Sequence, residues 1–437
     1  MKKTSILLVL ATICTFAVSL WIVPEANAVP AFARQTGQAC STCHFQHFPT
    51  LNAFGRAFKA GGYTQIGGQS LIEGDVLSLP STLNASLVTK IRYQKTSGKD
   101  YGTPANENGS MGTNKGELQF PDEAALLIGG RAGEHVGFLL EASLKDGDGR
   151  FTSYKMPITY DAGVKLSVIP FTTDSAGASY GFELLNTGAV RMQRPLEHRT
   201  QTSAQQYIET DGAAEGFAFV VSNDMFFANY TLWGPAHGST DFSPFISYAR
   251  LAATPNVAGW DIGVGAQLWR GTGKYSSTTT TQTAPVGGGT VTSSDTTSTT
   301  RTKADAWALD AQLQGDIGLP LGVYLTYGNA KKSKTGEVAN RFNSSTTNPK
   351  NAWSVLAELG VLPGKLTVAA GYRSGKTGAA TNSKQNATTF GVNYLLAQNV
   401  ELQLNHSKYT GNFYHLPTNN EQSNGDKLTT LMIFAAF

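Results

Sequence analysis

Stretches of strict period-two alternation recur along this chain, while no apolar run beyond residue 28 approaches the roughly 20 residues a membrane-spanning helix needs. In 83–94, Leu83, Ala85, Leu87, Thr89, Ile91 and Tyr93 alternate with Asn84, Ser86, Val88, Lys90, Arg92 and Gln94. The pattern returns in 136–145, 262–269, 307–314, 366–373, 390–396 and 400–405. One face of each stretch suits lipid and the other suits water. A soluble β-sandwich also alternates, so the connections must separate the two architectures. Short turns near 131–135, 316–321, 361–365 and 397–400 alternate with long polar stretches at 96–115, 271–303, 331–350, 375–387 and 409–426. Short turns on one side and long loops on the other is the pattern of outer-membrane barrels.

The expected fold is therefore all-β, a porin-like outer-membrane β-barrel whose two ends lie on the same, periplasmic side. About 360 residues at roughly 20 to 25 per strand and connection give about 16 strands. Composition agrees: charged residues are 15% of the chain, against about 25% in ordinary soluble proteins. The formal net charge of +3 leaves no electrostatic footprint for a nucleic-acid partner. The stretch 276–302 is low-complexity and reads as a disordered surface loop. Residues 150–215, interrupted by Pro157, Pro170 and Pro195, read least well as strands and suggest a segment folded into the lumen or over a mouth. The last strand carries Leu431, Ile433, Ala435 and Phe437 on one face, with Met432 and Phe434 spoiling the alternation. A terminal aromatic there resembles a barrel-assembly signal.

Residues 1–28 read as a secretory signal: Lys2 and Lys3, an apolar run from Ile6 to Leu20, and the cleavage pattern Ala26-Asn27-Ala28. The domains expected are 1–28, signal; 29–73, a small helical module; and 74–437, the barrel. Apart from Cys14 in the signal, the cysteines are Cys40 and Cys43, so no structural disulfide framework is expected.

Those two cysteines stand in Cys40-Ser41-Thr42-Cys43-His44, the C-x-x-C-H attachment signature of a c-type haem. The thiols suit thioether bonds to the porphyrin vinyls, and His44 suits the proximal iron position. A dithiol pair or half a zinc site would need only C-x-x-C. One covalent haem c is the expected cofactor. Downstream, Phe48, Leu51, Phe54 and Phe58 fall at helical spacing, with Pro49 in the first turn of the helix they imply. Arg56 and Lys59 are candidate partners for the haem propionates. For the second axial position the candidates are His47, His135, Met156, Met192 and His198, with His198 preferred as a distal ligand. No catalytic constellation is visible: the chain has no G-x-S-x-G, H-E-x-x-H or Gly-rich phosphate loop.

AFARQTGQACSTCHFQHFPTLNAFGRAFK (31–59), PFTTD (170–174), GFELLNTGAVR (181–191) and GAAEGFAF (212–219) together resemble the outer-membrane monohaem cytochrome–porin fusions of iron-oxidising bacteria. The resemblance implies a 16-stranded porin with a haem module, carried on Cys40, Cys43 and His44, held in or against the lumen. It implies electron transfer from extracellular Fe(II) to a periplasmic c-type cytochrome or other acceptor, in contact with outer-membrane lipid. The long outer loops share no motif with that family, so no iron-binding residue carries over. Two other readings stay open on the residues themselves: a haem-gated solute porin, and a haem enzyme with an open axial site.

Overall fold

The computed structural model describes residues 30–75, 77–97, 116–145, 150–187, 195–238, 245–283, 292–415 and 425–437. The signal segment lies outside them. Between Ala85 and Ala436 the strands pair antiparallel and close on themselves: Lys427–Ala436 hydrogen-bonds Ala85–Thr96, with Met432 opposite Arg92. The barrel has sixteen strands. Two of them are interrupted: Pro157 separates Arg150–Lys155 from Ile158–Asp161, and Pro255 lies between Ile246–Ala253 and Asn256–Val257. Proline lacks the donor that a ladder requires.

Alternation sorts the side chains as it should. Leu118, Phe120, Leu251, Leu309, Phe390 and Leu404 face outward and exposed, while Gln94, Gln312, Asn393, Asn405, Ser407 and Thr430 are buried inside. Such an apolar exterior around a polar interior is that of a membrane-spanning barrel.

Three expectations need correction. The stretch 271–303 is not simply a loop: Trp260–Thr283 pairs with Thr292–Asp316 along its whole length, out to Thr283 opposite Thr292. Neighbouring strands stop at Arg270 and Ala306, so the remainder is a two-stranded ribbon beyond the barrel wall. It projects roughly 40 Å at about 3.4 Å per residue. β-branched threonine favours the extended ladder that low complexity concealed. Second, the region 150–215 is not poor in strands; it contributes Arg150–Lys155, Ile158–Asp161 and Lys165–Thr173. Pro170 is accommodated within the last of these, its carbonyl accepting from Met156 N–H at 3.1 Å.

Third, the module's main helix starts later than the aromatic spacing suggests. The module holds three helices, α1 (Ala31–Thr36), α2 (Cys40–Cys43) and α3 (Ala53–Ala60). Asn52 caps α3 by accepting from Gly55 N–H at 2.9 Å, the role for which its short amide is suited. Pro49 and Phe48 therefore lie in a preceding turn, where Phe45 N–H donates to Thr50 O at 2.8 Å.

The lumen is filled from both ends. The module packs against the short turn between Lys384–Ala397 and Val400–Thr410. From the opposite, long-loop end, the connection between Lys165–Thr173 and Ala214–Ser222 folds inward. Its Leu185, Leu196, Ala204 and Ile208 are fully buried. The two plugs touch: Leu51 N–H donates to Asn186 Oδ1 and Asn186 Nδ2 to Leu51 O, each at 2.8 Å. Ion pairs lock them to the wall. Arg250 reaches Asp310 at 2.7 Å and Glu183 of the inner plug at 3.2 Å. Arg56 of α3 grips Asp261 with two bonds of 2.6 Å.

Candidate functional site

Helix α2 is one turn, and His44 leaves it in extended conformation with its N–H donating to Cys40 O at 2.9 Å. Helix α3 presses on it backbone to backbone. A Cβ on Gly55 would fall 2.2 Å from Cys43 O, so only glycine permits this approach. Asn52 Nδ2 donates to Thr42 O at 2.9 Å, joining the α3 cap to α2.

Cys40, Cys43 and His44 all open onto one cavity of about 220 Å³. Its walls are mainly apolar. Phe32 stacks on Tyr63 at 4.9 Å and meets Phe58 edge-on at 5.1 Å. Across the cavity Phe48 stacks on Phe434 at 4.7 Å, beside Val88 and Met432. Those two wall residues on the final strand thus explain its broken alternation. Apolar side chains point into the lumen where the module covers them.

The chemistry of this site fits a covalent haem. Both cysteines are free thiols, half-buried and one helical turn apart, with burial pushing each thiol pKa upward. The His44 imidazole is held neutral: burial lowers its pKa to about 4, against the raising effect of the Thr50 and Pro49 carbonyls. Its Nδ1 is buried without a hydrogen-bond partner. A neutral buried imidazole with an unmet nitrogen has a lone pair free for a metal bond. Cys40 and Cys43 would hold the porphyrin edge and His44 the iron.

The other sequence candidates are placed elsewhere. His198 is buried, but its Nδ1 meets Ser407 Oγ at 2.6 Å and its Nε2 meets Thr430 Oγ1 at 2.7 Å. Both ring nitrogens are engaged and the residue does not line the cavity, so the structure does not bring this preferred distal ligand to His44. His135 stacks on Tyr160 at 4.4 Å, Met156 lies off the cavity, and Met192 falls outside the described residues. Arg56 is committed to Asp261, whereas Lys59 does line the cavity.

His47 serves a different purpose. Its Nε2 lies 2.8 Å from Glu358 Oε2, and its Nδ1 lies 2.9 Å from Phe48 O and 3.8 Å from Glu401. Burial alone would lower its pKa, but Glu358 and then Glu401 push it up to about 9. The folded value lies above the unfolded one near about 6.5. This contribution to stability is therefore complete below about pH 6.5 and is lost as pH rises through 9. Thermal unfolding followed at pH 6 and pH 9.5 should show the midpoint falling at the higher pH. In His47→Gln that difference should shrink.

Beyond the module-side cavity lies a polar one, lined by Lys90, Arg92, Glu123, Glu141, Asp174 and Tyr180 among others. Glu141 and Tyr180 also line the first cavity, so the two lie back to back. The alternation in 83–94 sets Lys90 and Arg92 on the water-facing side but gives no means of seeing what the inner plug sets against them.

No family model matches the chain, and no curated protein matches it. Among solved structures it is similar to the outer-membrane channel DcaP of Acinetobacter baumannii, with 11% identity over 82% of this chain and 97% of that one and a TM-score of 0.47. It is also similar to OmpT of Vibrio cholerae in its trimer form, with 14% identity over 82% and 99% and a TM-score of 0.47. For opdK of Pseudomonas aeruginosa the values are 12%, 81%, 98% and 0.41. The barrel itself is defined by its own strand pairing. In class the chain is a plugged, porin-like sixteen-stranded barrel.

Proposed function

We propose that this is an outer-membrane electron-transfer protein, taking electrons from extracellular Fe(II) through one covalent haem c and passing them to a periplasmic c-type cytochrome. The observation that supports the reading most is the pairing of cavities. An apolar one bears Cys40, Cys43 and His44 at the short-turn end. A polar one on its long-loop side shares the Glu141 and Tyr180 wall. A c-type haem supplies a one-electron ferric/ferrous couple when attached. The chain does the rest. Cys40 and Cys43 fix the porphyrin edge, and His44 offers a neutral nitrogen. Phe48 and Phe434 keep water from the module face, while the polar cavity gives a hydrated donor an approach. Outer-sphere transfer from Fe(II) needs no acid–base group. Both plugs occupy the lumen and touch inside it, which favours carrying electrons over carrying solutes.

The test is anaerobic stopped-flow mixing of the oxidised, haem-loaded protein with Fe(II). Rapid growth of the sharp ferrous c-haem bands is expected. A haem that dithionite reduces and Fe(II) does not would remove iron as the donor.

A further inference from the structure

We propose that Lys59 and Lys155 form a carboxylate-binding pair that receives the two propionates of the haem; the assignment rests on the haem reading above. Both lysines line the cavity that Cys40, Cys43 and His44 open onto. Lys59 stands one helical turn beyond Gly55, the residue in contact with Cys43, hence about 6 Å further along the same face of α3. Lys155 enters from the wall strand Arg150–Lys155, its ammonium donating to Tyr180 O at 3.1 Å and sitting 4.2 Å over the Tyr180 ring. A porphyrin held by its vinyl carbons would carry its propionates on the edge away from the thioethers, where Lys59 and Lys155 would receive them.

Charge balance sets these two lysines apart from the other lumen cations. Elsewhere in the lumen Arg56, Arg92 and Arg250 each hold a carboxylate within 2.7 Å. Among the described residues, Lys59 and Lys155 make no ion pair. Glu183, the acidic group that acts on Lys59, is already engaged by Arg250 at 3.2 Å. Glu141, in the same cavity, accepts from Ser153 Oγ at 3.2 Å. Two lysines that open onto one mainly apolar cavity, where Glu141 and Glu401 also lie but pair with neither, are costly to keep charged. Burial correspondingly lowers the Lys59 pKa to about 8, with Glu183 only partly opposing. A ligand bringing two carboxylates cancels both charges at once.

The experiment compares Lys59→Met, Lys155→Met and Lys155→Arg in the haem-loaded protein and in a Cys40→Ser/Cys43→Ser background that cannot attach haem. Thermal midpoints are read in both backgrounds and spectroelectrochemical potentials in the haem-loaded one. With haem, either Met variant should unfold at lower temperature, and its potential should shift negative and acquire a pH dependence over about pH 5–7 as a freed propionate titrates. Lys155→Arg should keep the wild-type potential. Without haem, the same Met variants should lose no thermal stability, because one of two unpaired cations has gone. Equal destabilisation in both backgrounds, or an unchanged and pH-flat potential, would overturn the assignment. Absence of any covalent haem in the wild type, read by its pyridine haemochrome, would instead overturn the haem reading itself.

Discussion

Replacing Cys40 and Cys43 together by serine is expected to abolish covalent haem while leaving a barrel that still assembles. The two thiols belong to a one-turn helix that contributes no strand to the wall, and the barrel's closing pairs run between 85–96 and 427–436. Serine is close in size, so the Gly55 contact with the Cys43 carbonyl is undisturbed. The expected result is complete loss of haem stain on a denaturing gel, at unchanged migration of the folded, unheated band. Retention of bound haem after denaturation would mean that attachment does not run through these sulfurs. A single substitution should leave one thioether and a shifted haemochrome band, which separates loss of attachment from loss of protein.

The second large effect is expected from Arg250→Met. Arg250 is wholly buried and ties Asp310 of the wall to Glu183 of the inner plug. Asp310 also accepts from Thr187 at 2.6 Å and from Gln267 at 3.0 Å, so one guanidinium organises a cluster. Removing it takes the guanidinium away from two buried carboxylates, which costs about 3–5 kcal/mol. Heat-modifiability on gels should show the folded band collapsing at a lower temperature than in wild type. Planar-bilayer recordings should show ionic steps where the wild type is silent, because the plug is no longer held. Adding Asp310→Asn should recover part of the loss, since one stranded charge is then absent. A stable and silent Arg250→Met would mean that apolar packing at Leu185, Leu196 and Ile208 alone seats the plug.

Much of the wall was legible because a strand in a barrel has only two environments, and alternation reports both. The cofactor-bearing triad was legible because its residues are adjacent in sequence. What escaped was whatever depends on contacts distant along the chain. His198 looked like a ligand in a structured segment, yet Ser407 and Thr430, more than 200 positions away, occupy its nitrogens. His47 gave no sign of Glu358 for the same reason. The Thr-rich ribbon escaped because period two is invisible when both faces are threonine and serine. One signal was available. Val88, Leu139, Met432 and Phe434 are apolar at positions whose parity faces the lumen, and together they outline the surface that the module covers.

The seam between the first and last strands also sets an order of assembly. Strand 85–96 follows the module across a short hairpin, Leu71–Gly74 paired with Leu77–Pro80, and its partner 427–436 is the last strand of the barrel. The inner plug, by contrast, is a closed loop anchored at both ends in adjacent strands of the wall. A loop tethered in this way meets the module at Leu51 and Asn186 deep inside the barrel. Gathering both pieces inward before the seam pairs would spare their buried charges a passage through a closed ring, so the expected order is contents first and seam last.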